Sequence, residues 1–244
     1  MRGETQKVRD KVDALQKKRI DILTATPLFA GISPDILADM LNCLQPKLST
    51  HPKNSFIAVE GEPFFGLGIL LTGEAVVVKE NMAGTRSVLT VLNQGSMFGE
   101  MIAFSTRTAW PASVFAQSEC TAVFLPPQKI TGTCPRACDG HNQMVRNMLR
   151  IVSERALLLN RKVEYLTIKS LRTKIVTYLL EQYKSQGKTT FVLPLKRNDL
   201  ADFLNVSRTA LSRELGRLRS EGLIDFFRSS LKILDMESLK EFIE

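Results

Sequence analysis

The sequence predicts an α+β chain with three successive regions: a β-rich region, one long helix, and a C-terminal region where short helices alternate with strands. The β-rich region is indicated by glycines that recur every 11 or 12 residues, at Gly61, Gly73, Gly84 and Gly95. The long helix is indicated by a stretch without Gly or Pro from about His141 to Thr167. The C-terminal region is indicated by two adjacent helical patterns after Pro194.

Composition limits the class of protein. The chain has 244 residues, of which 44% are apolar and 24% are charged, which is typical of globular proteins, and this length favours two domains. The longest apolar runs fall far short of the roughly 18 residues that a membrane span needs, and the charged N-terminus lacks the features of a secretory signal. We therefore expect a soluble, cytoplasmic protein without a membrane partner, and the net charge of +8 makes nucleic acid a reasonable partner.

After a helical segment that ends near Leu41, the region from about Pro46 to Pro126 is predicted to form short strands between turns. The predicted strands are Ser55–Val59, Leu67–Leu71, Ala75–Lys79, Ser87–Leu92, Ala112–Ala116 and Thr121–Leu125. Evenly spaced short strands with glycine-containing turns are typical of a small antiparallel sandwich, roll or barrel.

The long helix carries an apolar seam whose spacings alternate between four and three residues, which is the a/d pattern of a coiled coil. The seam consists of Val145, Leu149, Val152, Ala156, Leu159, Val163 and Leu166. Charged residues flank the seam, so we interpret it as a homodimer interface. The alternative is a single amphipathic helix that covers its own domain.

The segment Arg197–Leu218 has the pattern of a helix-turn-helix. Ala201 is the small residue that lets the second helix pack closely across the first, and Asn205 tolerates the left-handed backbone geometry of the turn. Ser207 is suited to cap the second helix. The inward positions of that helix are Leu211, Leu215 and Leu218.

The opposite face of the second helix is polar and basic. It carries Arg208, Thr209, Ser212, Arg213 and Arg217, with no acid before Glu214. Bidentate donors and hydroxyls suit contacts to base edges and phosphates in a DNA major groove. Two arginines alone would also suit a solvated helix face, but the segments Leu223–Asp225 and Leu231–Leu234, around Arg228–Ser230, predict a wing and favour DNA binding.

Taken together, these motifs resemble the CRP/FNR superfamily of bacterial transcription regulators over nearly the whole chain. The similar segments are TPLFAGIS at Thr26–Ser33, GEAVVV at Gly73–Val78, QGSMFGEM at Gln94–Met101 and LADFLNVSRTALSRELGRL at Leu200–Leu218. The resemblance implies a double-stranded β-helix (a jelly-roll-like β-roll), a long dimerisation helix and a winged helix-turn-helix. The expected domains are an N-terminal helical extension (1–25), an effector-sensing β-roll (26–138), a dimerisation coiled-coil helix (139–167) and a DNA-binding domain (168–244).

The resemblance also implies which residues contact DNA. The family's base-contacting positions correspond to Arg208, Thr209, Ser212 and Arg213, to which we add Ser207 and Arg217 from the same helix. Many members carry an acid at the position of Thr209, so we expect an operator half-site that differs from the best-known consensus. RNA polymerase is a further expected partner if the chain is an activator.

An effector site is implied in the β-roll. In the members that bind cyclic AMP, a Gly-Glu pair binds the ribose and an Arg-Ser/Thr-Ala segment binds the cyclic phosphate. The corresponding residues are Gly99, Glu100 and Met101 in one segment and Arg107, Thr108 and Ala109 in the other. The intervening segment is shorter than in those members, and ALLLN at Ala156–Asn160 lacks a Thr-Ser pair for adenine. The sequence therefore leaves three alternatives for the effector: a cyclic nucleotide, another small organic or anionic ligand, or no ligand.

The cysteines and histidines argue against a metal cofactor. The oxygen sensors of the family hold an iron–sulfur cluster through cysteines near the N-terminus, where the first forty residues here have none. His51 and His141 lack a spacing that requires haem. Cys134 and Cys138 form a C-x3-C pair just before the long helix, whose N-terminus would lower a thiol pKa, so a redox role is an alternative to two inert thiols.

We therefore expect a sequence-specific, homodimeric DNA-binding regulator whose DNA affinity is controlled by a signal sensed in the β-roll. The alternative is a cyclic-nucleotide-type regulatory module that acts on a protein partner, which the basic second helix disfavours. An enzyme is disfavoured because the sequence contains no Ser-His-Asp set, no phosphate-loop glycine pattern and no metal-ligand cluster.

Overall fold

The computed structural model describes residues 16–80, 86–132 and 139–243. The chain divides into two compact units, one up to Glu154 and one from Arg155 onward, and the boundary lies within the long helix. Among the helices described in these ranges, none combines the length and the apolar character that crossing a membrane requires.

The first unit begins with helical segments. Residues 16–24 form α1, a 3-10 turn covers Pro27–Phe29, and α2 covers Pro34–Leu44. The Ser33 hydroxyl accepts a hydrogen bond from the Ile36 amide and caps α2, whose buried face packs into a core that also holds Leu28 and Phe29.

The described part of the first unit then contains eight strands: β1 (Lys47–His51), β2 (Phe56–Ala58), β3 (Leu67–Thr72), β4 (Ala75–Glu80), β5 (Arg86–Leu92), β6 (Met97–Phe98), β7 (Ser113–Ala116) and β8 (Cys120–Leu125). They pair antiparallel in two four-stranded sheets, with the orders β1-β8-β3-β6 and β2-β7-β4-β5. Side chains from both sheets share one apolar cluster, so the sheets pack face to face as the predicted β-roll. Two short helices, α3 (Glu100–Ala103) and α4 (Pro127–Thr131), lie in its connections.

All six predicted strands are present, and β1 and β6 were missed. β1 has the polar sequence KLSTH, with no residue fully buried, so apolar alternation is weak. β6 has two residues, and it forms because Gly68 of β3 leaves room for the Phe98 ring. A Cβ at Gly68 would lie 2.2 Å from the Phe98 ring, which makes glycine necessary there.

The long helix α5 covers Asp139–Thr167 and is fixed to the first unit by a buried amide. The Asn147 Nδ2 donates to the carbonyl oxygens of Leu28 at 3.0 Å and Ala30 at 2.8 Å, and its Oδ1 accepts from Gln143. This polar anchor satisfies two carbonyl groups beside the 3-10 turn.

The second unit continues with α6 (Leu171–Gln186), β9 (Thr190–Val192), α7 (Arg197–Leu204), α8 (Arg208–Ser220), β10 (Ile224–Phe227), β11 (Ser230–Ile233) and α9 (Met236–Lys240). Its three strands form an antiparallel sheet of order β10-β11-β9. The α-helices and this sheet enclose one apolar core, to which α8 contributes Leu211, Leu215 and Leu218.

Candidate nucleic-acid interface and ligand site

The predicted helix-turn-helix is formed by α7, the turn at Asn205 and α8. Asn205 has φ 54° and ψ 53°, the left-handed conformation that the sequence predicted. Ala201 is 2% exposed, and its carbonyl accepts the Val206 amide at 2.9 Å across the turn. A larger side chain at position 201 would separate the two helices.

Helix α8 presents the predicted DNA-binding residues on one exposed face. The Ser207 hydroxyl accepts from the Ala210 amide at 3.1 Å and caps the helix. Arg208, Thr209, Ser212, Arg213 and Arg217 are all exposed, whereas the three leucines of the inward stripe are at most 1% exposed. The face therefore combines cationic donors with hydroxyls on a helix held rigidly by its core.

An ionic cluster that the sequence analysis missed fixes α8 against α6. Arg172 Nε donates to Glu214 Oε1 at 2.6 Å, and its two terminal nitrogens donate to the carboxylate of Glu221 at 2.8 Å. Hydrogen bonds to Glu221 and Glu214 raise the pKa of Arg172. Glu214 is 6% exposed and lies on the buried side of α8, so it is not an acid on the DNA-facing surface. No local pattern indicates this cluster because Arg172 is more than forty residues from both glutamates.

The wing is the hairpin of β10 and β11, joined by Arg228 and Ser229. Ser230 pairs with Phe227, so the turn is one residue shorter than predicted. The Arg219 side chain pairs with Asp225 at 2.8 Å, which fixes the first strand of the wing to the last turn of α8.

The predicted dimer seam is exposed over most of α5. Val145 is half-buried, and the other six seam residues are exposed, including Leu149 at 65% and Val163 at 57%. Tyr165, by contrast, is 1% exposed, and its hydroxyl donates to Glu181 at 2.8 Å. Burial and this hydrogen bond raise the pKa of Tyr165, and Arg161 also pairs with Glu181. The end of α5 thus has one buried face and one exposed apolar face.

The predicted effector residues lie along α3 and the segment that follows it. Gly99 has φ 82° and precedes α3, and Glu100 at the start of that helix is 4% exposed. Met101, Arg107 and Thr108 are exposed. The sixth residue, Ala109, is half-buried and forms an antiparallel bridge with Pro63. A buried carboxylate and an exposed guanidinium therefore occur in the two predicted segments.

Aromatic side chains pack beside Gly99, which sequence reasoning did not foresee. Trp110 is 3% exposed and contacts Phe64, with ring centroids 4.7 Å apart, and Phe98, with centroids 6.1 Å apart. A Cβ at Gly99 would lie 3.0 Å from both the Phe64 and Trp110 rings. Within the described ranges, the Trp110 Nε1 has no hydrogen-bond acceptor. The buried indole therefore packs directly against Gly99.

Two open depressions lie elsewhere. One, of about 560 Å³, is lined by Arg161 and Glu181 among others, and the other, of about 500 Å³, lies between α1 and α2. Neither includes a predicted effector residue. Cys134 and Cys138 lie outside the described residues. In the described part of the chain, no group of three or more His, Cys, Asp or Glu side chains could hold a metal ion.

Two family models match the chain. Residues 49–136 match the cyclic nucleotide-binding domain, and residues 173–242 match the Crp-like helix-turn-helix domain. The first match covers the β-roll from β1 through α4, and the second covers the chain from α6 through α9, including α7 and α8.

Similar proteins are known over nearly the whole length. A probable transcriptional regulator, flp, of Lacticaseibacillus casei is 30% identical over 96% of this chain and 90% of its own. A CRP-like cAMP-activated global transcriptional regulator of Mycobacterium tuberculosis is 23% identical over 90% of this chain and 97% of its own. The crystal structure of the catabolite activator protein of Thermus thermophilus has a TM-score of 0.52 at 21% identity and covers 89% of this chain and 98% of its own.

Proposed function

Because the chain belongs to the CRP/FNR superfamily of DNA-binding transcription regulators, we propose that it acts as a homodimer on a pseudo-palindromic operator. Each α8 enters a major groove, and the two half-sites lie about one helical turn apart. The family is one of transcription regulators, not of enzymes. The observation that carries the proposal is the exposed basic and hydroxyl face of α8 opposite its three buried leucines.

Within that face, the side chains divide into two roles. Arg208, Arg213, Thr209 and Ser212 contact base edges, since guanidinium groups donate two hydrogen bonds to guanine and hydroxyls adapt to either strand. Ser207 and Arg217 lie at the margins and contact phosphates. Arg217 is 70% exposed even though its Nη1 lies 3.2 Å from Glu214 Oε2. Its guanidinium can therefore turn to contact DNA while the ion pairs of Arg172 stay in place.

The assignment of the recognition helix is tested by Arg213→Ala. An operator is first selected from random 30-bp duplexes with the full chain, and affinity is then measured by fluorescence anisotropy. The variant is expected to bind the operator at least about tenfold more weakly, because a bidentate arginine–guanine contact is lost in each half-site. Lys240→Ala, which removes an exposed charge from α9, serves as the control and leaves operator affinity unchanged.

Sedimentation of the Arg213→Ala variant must give the same mass as the wild type, since the interface lies on another element. Unchanged operator binding by this variant would overturn the assignment of α8. Failure to select any preferred sequence would favour a regulatory module that acts on a protein partner.

The homodimer is supported by the exposed apolar seam of α5, which a monomer would leave in water. The partner on that seam is a second copy of α5. We place the protein in the cytoplasm, where the operator and, for an activator, RNA polymerase are available.

The β-roll is proposed to bind a small anionic ligand. Arg107 supplies an exposed guanidinium, Glu100 a buried carboxylate, and Gly99, Met101, Thr108 and Ala109 complete the site. Several relatives carry names that refer to cyclic AMP, so cyclic AMP is the first ligand to test. The ligand controls DNA binding only if it binds one arrangement of the dimer more tightly than the other.

Trp110 provides the measurement, because it is the single tryptophan of the chain and lies beside Gly99. Titration with cyclic AMP, and then with other small anions, is expected to change its fluorescence emission in the wild type. Arg107→Gln should reduce the affinity for the ligand about tenfold, because one charge-assisted contact is lost. The control Arg86→Gln removes an exposed cation from the same domain and leaves the titration unchanged. Equal ligand affinities for the two variants would contradict the assignment of Arg107 to the ligand site.

A further inference from the structure

The tip of the wing carries an aromatic side chain that is exposed and does not pack in the core. Phe227 is 74% exposed, the highest value for any large apolar side chain among the described residues. Its neighbour in the same strand, Phe226, is half-buried against the core, so the alternation of the strand directs Phe227 away from it. A single exposed apolar side chain is common at protein surfaces, so what distinguishes Phe227 is the cation that lies beside its ring.

The residue after this phenylalanine is cationic and has an unusual backbone conformation. Arg228 has φ 54°, a left-handed value that hairpin turns normally give to Gly or Asn. Its guanidinium lies 5.4 Å from the centre of the Phe227 ring, within cation–π distance. The wing tip therefore presents a flat apolar ring and a positive charge as one unit.

The position of the tip relative to α8 is fixed by several contacts. Arg219 in the last turn of α8 pairs with Asp225, and the guanidinium groups of Arg219 and Arg197 lie 5.3 and 5.0 Å from the centre of the Phe226 ring. Each wing strand has four residues and so extends the tip about 13 Å beyond its base. That length is comparable to the width of the major groove, about 12 Å, so a hairpin held at the end of α8 is long enough to span it.

We propose that Phe227 and Arg228 insert into the DNA minor groove that flanks each half-site, and that they favour A·T base pairs there. This inference rests on the proposed placement of α8 in the major groove. Apolar wedges such as phenylalanine insert between base steps from the minor groove, and arginine is attracted to the narrow minor groove of A·T tracts. Lys232, on the adjacent strand, adds an exposed positive charge to the wing.

The test compares three versions of the selected operator that differ only in the flanking base pairs: A·T, G·C and I·C. An I·C pair lacks the guanine 2-amino group, so it has the minor-groove edge of A·T and the major-groove edge of G·C. The wild type is expected to bind the A·T and I·C flanks equally and the G·C flank about tenfold more weakly.

Two variants assign the preference to the tip. Phe227→Ala and Arg228→Gln should each reduce affinity for the A·T flank to near that of the G·C flank. Arg228→Gln should also reduce the slope of log affinity against log salt concentration by about 0.9 for each half-site. Leu234→Ala at the base of the hairpin and Lys240→Gln in α9 remove comparable exposed groups and leave the preference unchanged.

The outcomes separate the two hypotheses. If no operator is selected, the placement of α8 itself fails. If an operator is selected but flank preference is absent, or is the same in the wild type and Phe227→Ala, the wing proposal is overturned and Phe227 belongs to another surface. If I·C behaves as G·C, the flank is read from the major groove and the proposal is likewise wrong. Unchanged thermal midpoints show that the variants are folded.

Discussion

At the scale of single residues, the fold depends on side chains whose surroundings are set by distant segments. Asn147 satisfies two carbonyl groups more than a hundred residues away, and Arg172 joins two glutamates of another helix segment. A buried polar group of this kind is favourable only when every partner is in place. The sequence shows the residue types but not the partners.

His141 leads to a prediction about pH. It is 7% exposed in the first turn of α5, where the positive end of the helix dipole also disfavours a cation. Burial lowers its pKa below the ordinary value of 6.5. The unfolded chain therefore binds a proton that the folded chain excludes, and folding stability is lost as pH falls through 6.5 toward the lower folded-state pKa.

The measurement is urea unfolding at pH 7.5 and 5.5 for the wild type and His141→Gln. The wild type is expected to lose more free energy of unfolding between these pH values than the variant, which carries no titratable group at position 141. Equal losses in the two proteins would show that His141 titrates alike in both states.

At the scale of elements, α5 and α8 illustrate what periodicity can predict. The 3-4 spacing of the α5 seam predicted an apolar stripe, and the structure places six of the seven residues at the surface. The i, i+4, i+7 spacing of leucines in α8 predicted its buried face, and all three are at most 1% exposed. Periodicity identifies a face, whereas the partner on that face depends on another chain or domain.

Leu159→Asp tests the seam as an interface. The side chain is 50% exposed, so folding of a single chain tolerates the charge, but two facing aspartates in an apolar seam repel and lose hydration. We expect the variant to sediment as a monomer and to lose operator binding. Val192→Asp introduces the same charge at a residue that is 62% exposed on β9, and it should remain dimeric. A dimeric Leu159→Asp variant would place the interface elsewhere.

At the scale of the whole molecule, the two copies of α8 in the proposed homodimer must bind DNA at the same time. A dimer with one recognition helix per subunit binds half-sites about 10–10.5 bp apart, because a whole helical turn places both major grooves on the same side of the DNA. Inserting about five base pairs, half a helical turn, between the half-sites should therefore reduce affinity to that of one half-site. Gel-shift titration of the two duplexes measures this, and equal affinity would contradict simultaneous binding.

Total charge was a weak guide to this function. Between Lys196 and Lys232 there are 8 basic and 5 acidic residues, while the first 20 residues have 7 basic and 3 acidic. The excess is thus larger near the N-terminus than around α8. The proposed DNA contacts rest instead on the placement of Arg208 and Arg213 on one exposed helix face, opposite a buried leucine stripe.

The sequence by itself determined the order of the three regions, the turn at Asn205, the Ser207 cap and the apolar faces of α5 and α8, because each depends on residues within a few positions of one another. Only the tertiary structure decided which side of α8 holds Glu214, how Trp110 and Phe64 pack beside Gly99, and that Phe227 projects from the wing. These features depend on contacts between segments far apart in the chain. Local spacing carries no information about them, since they exist only when the strands and helices are packed.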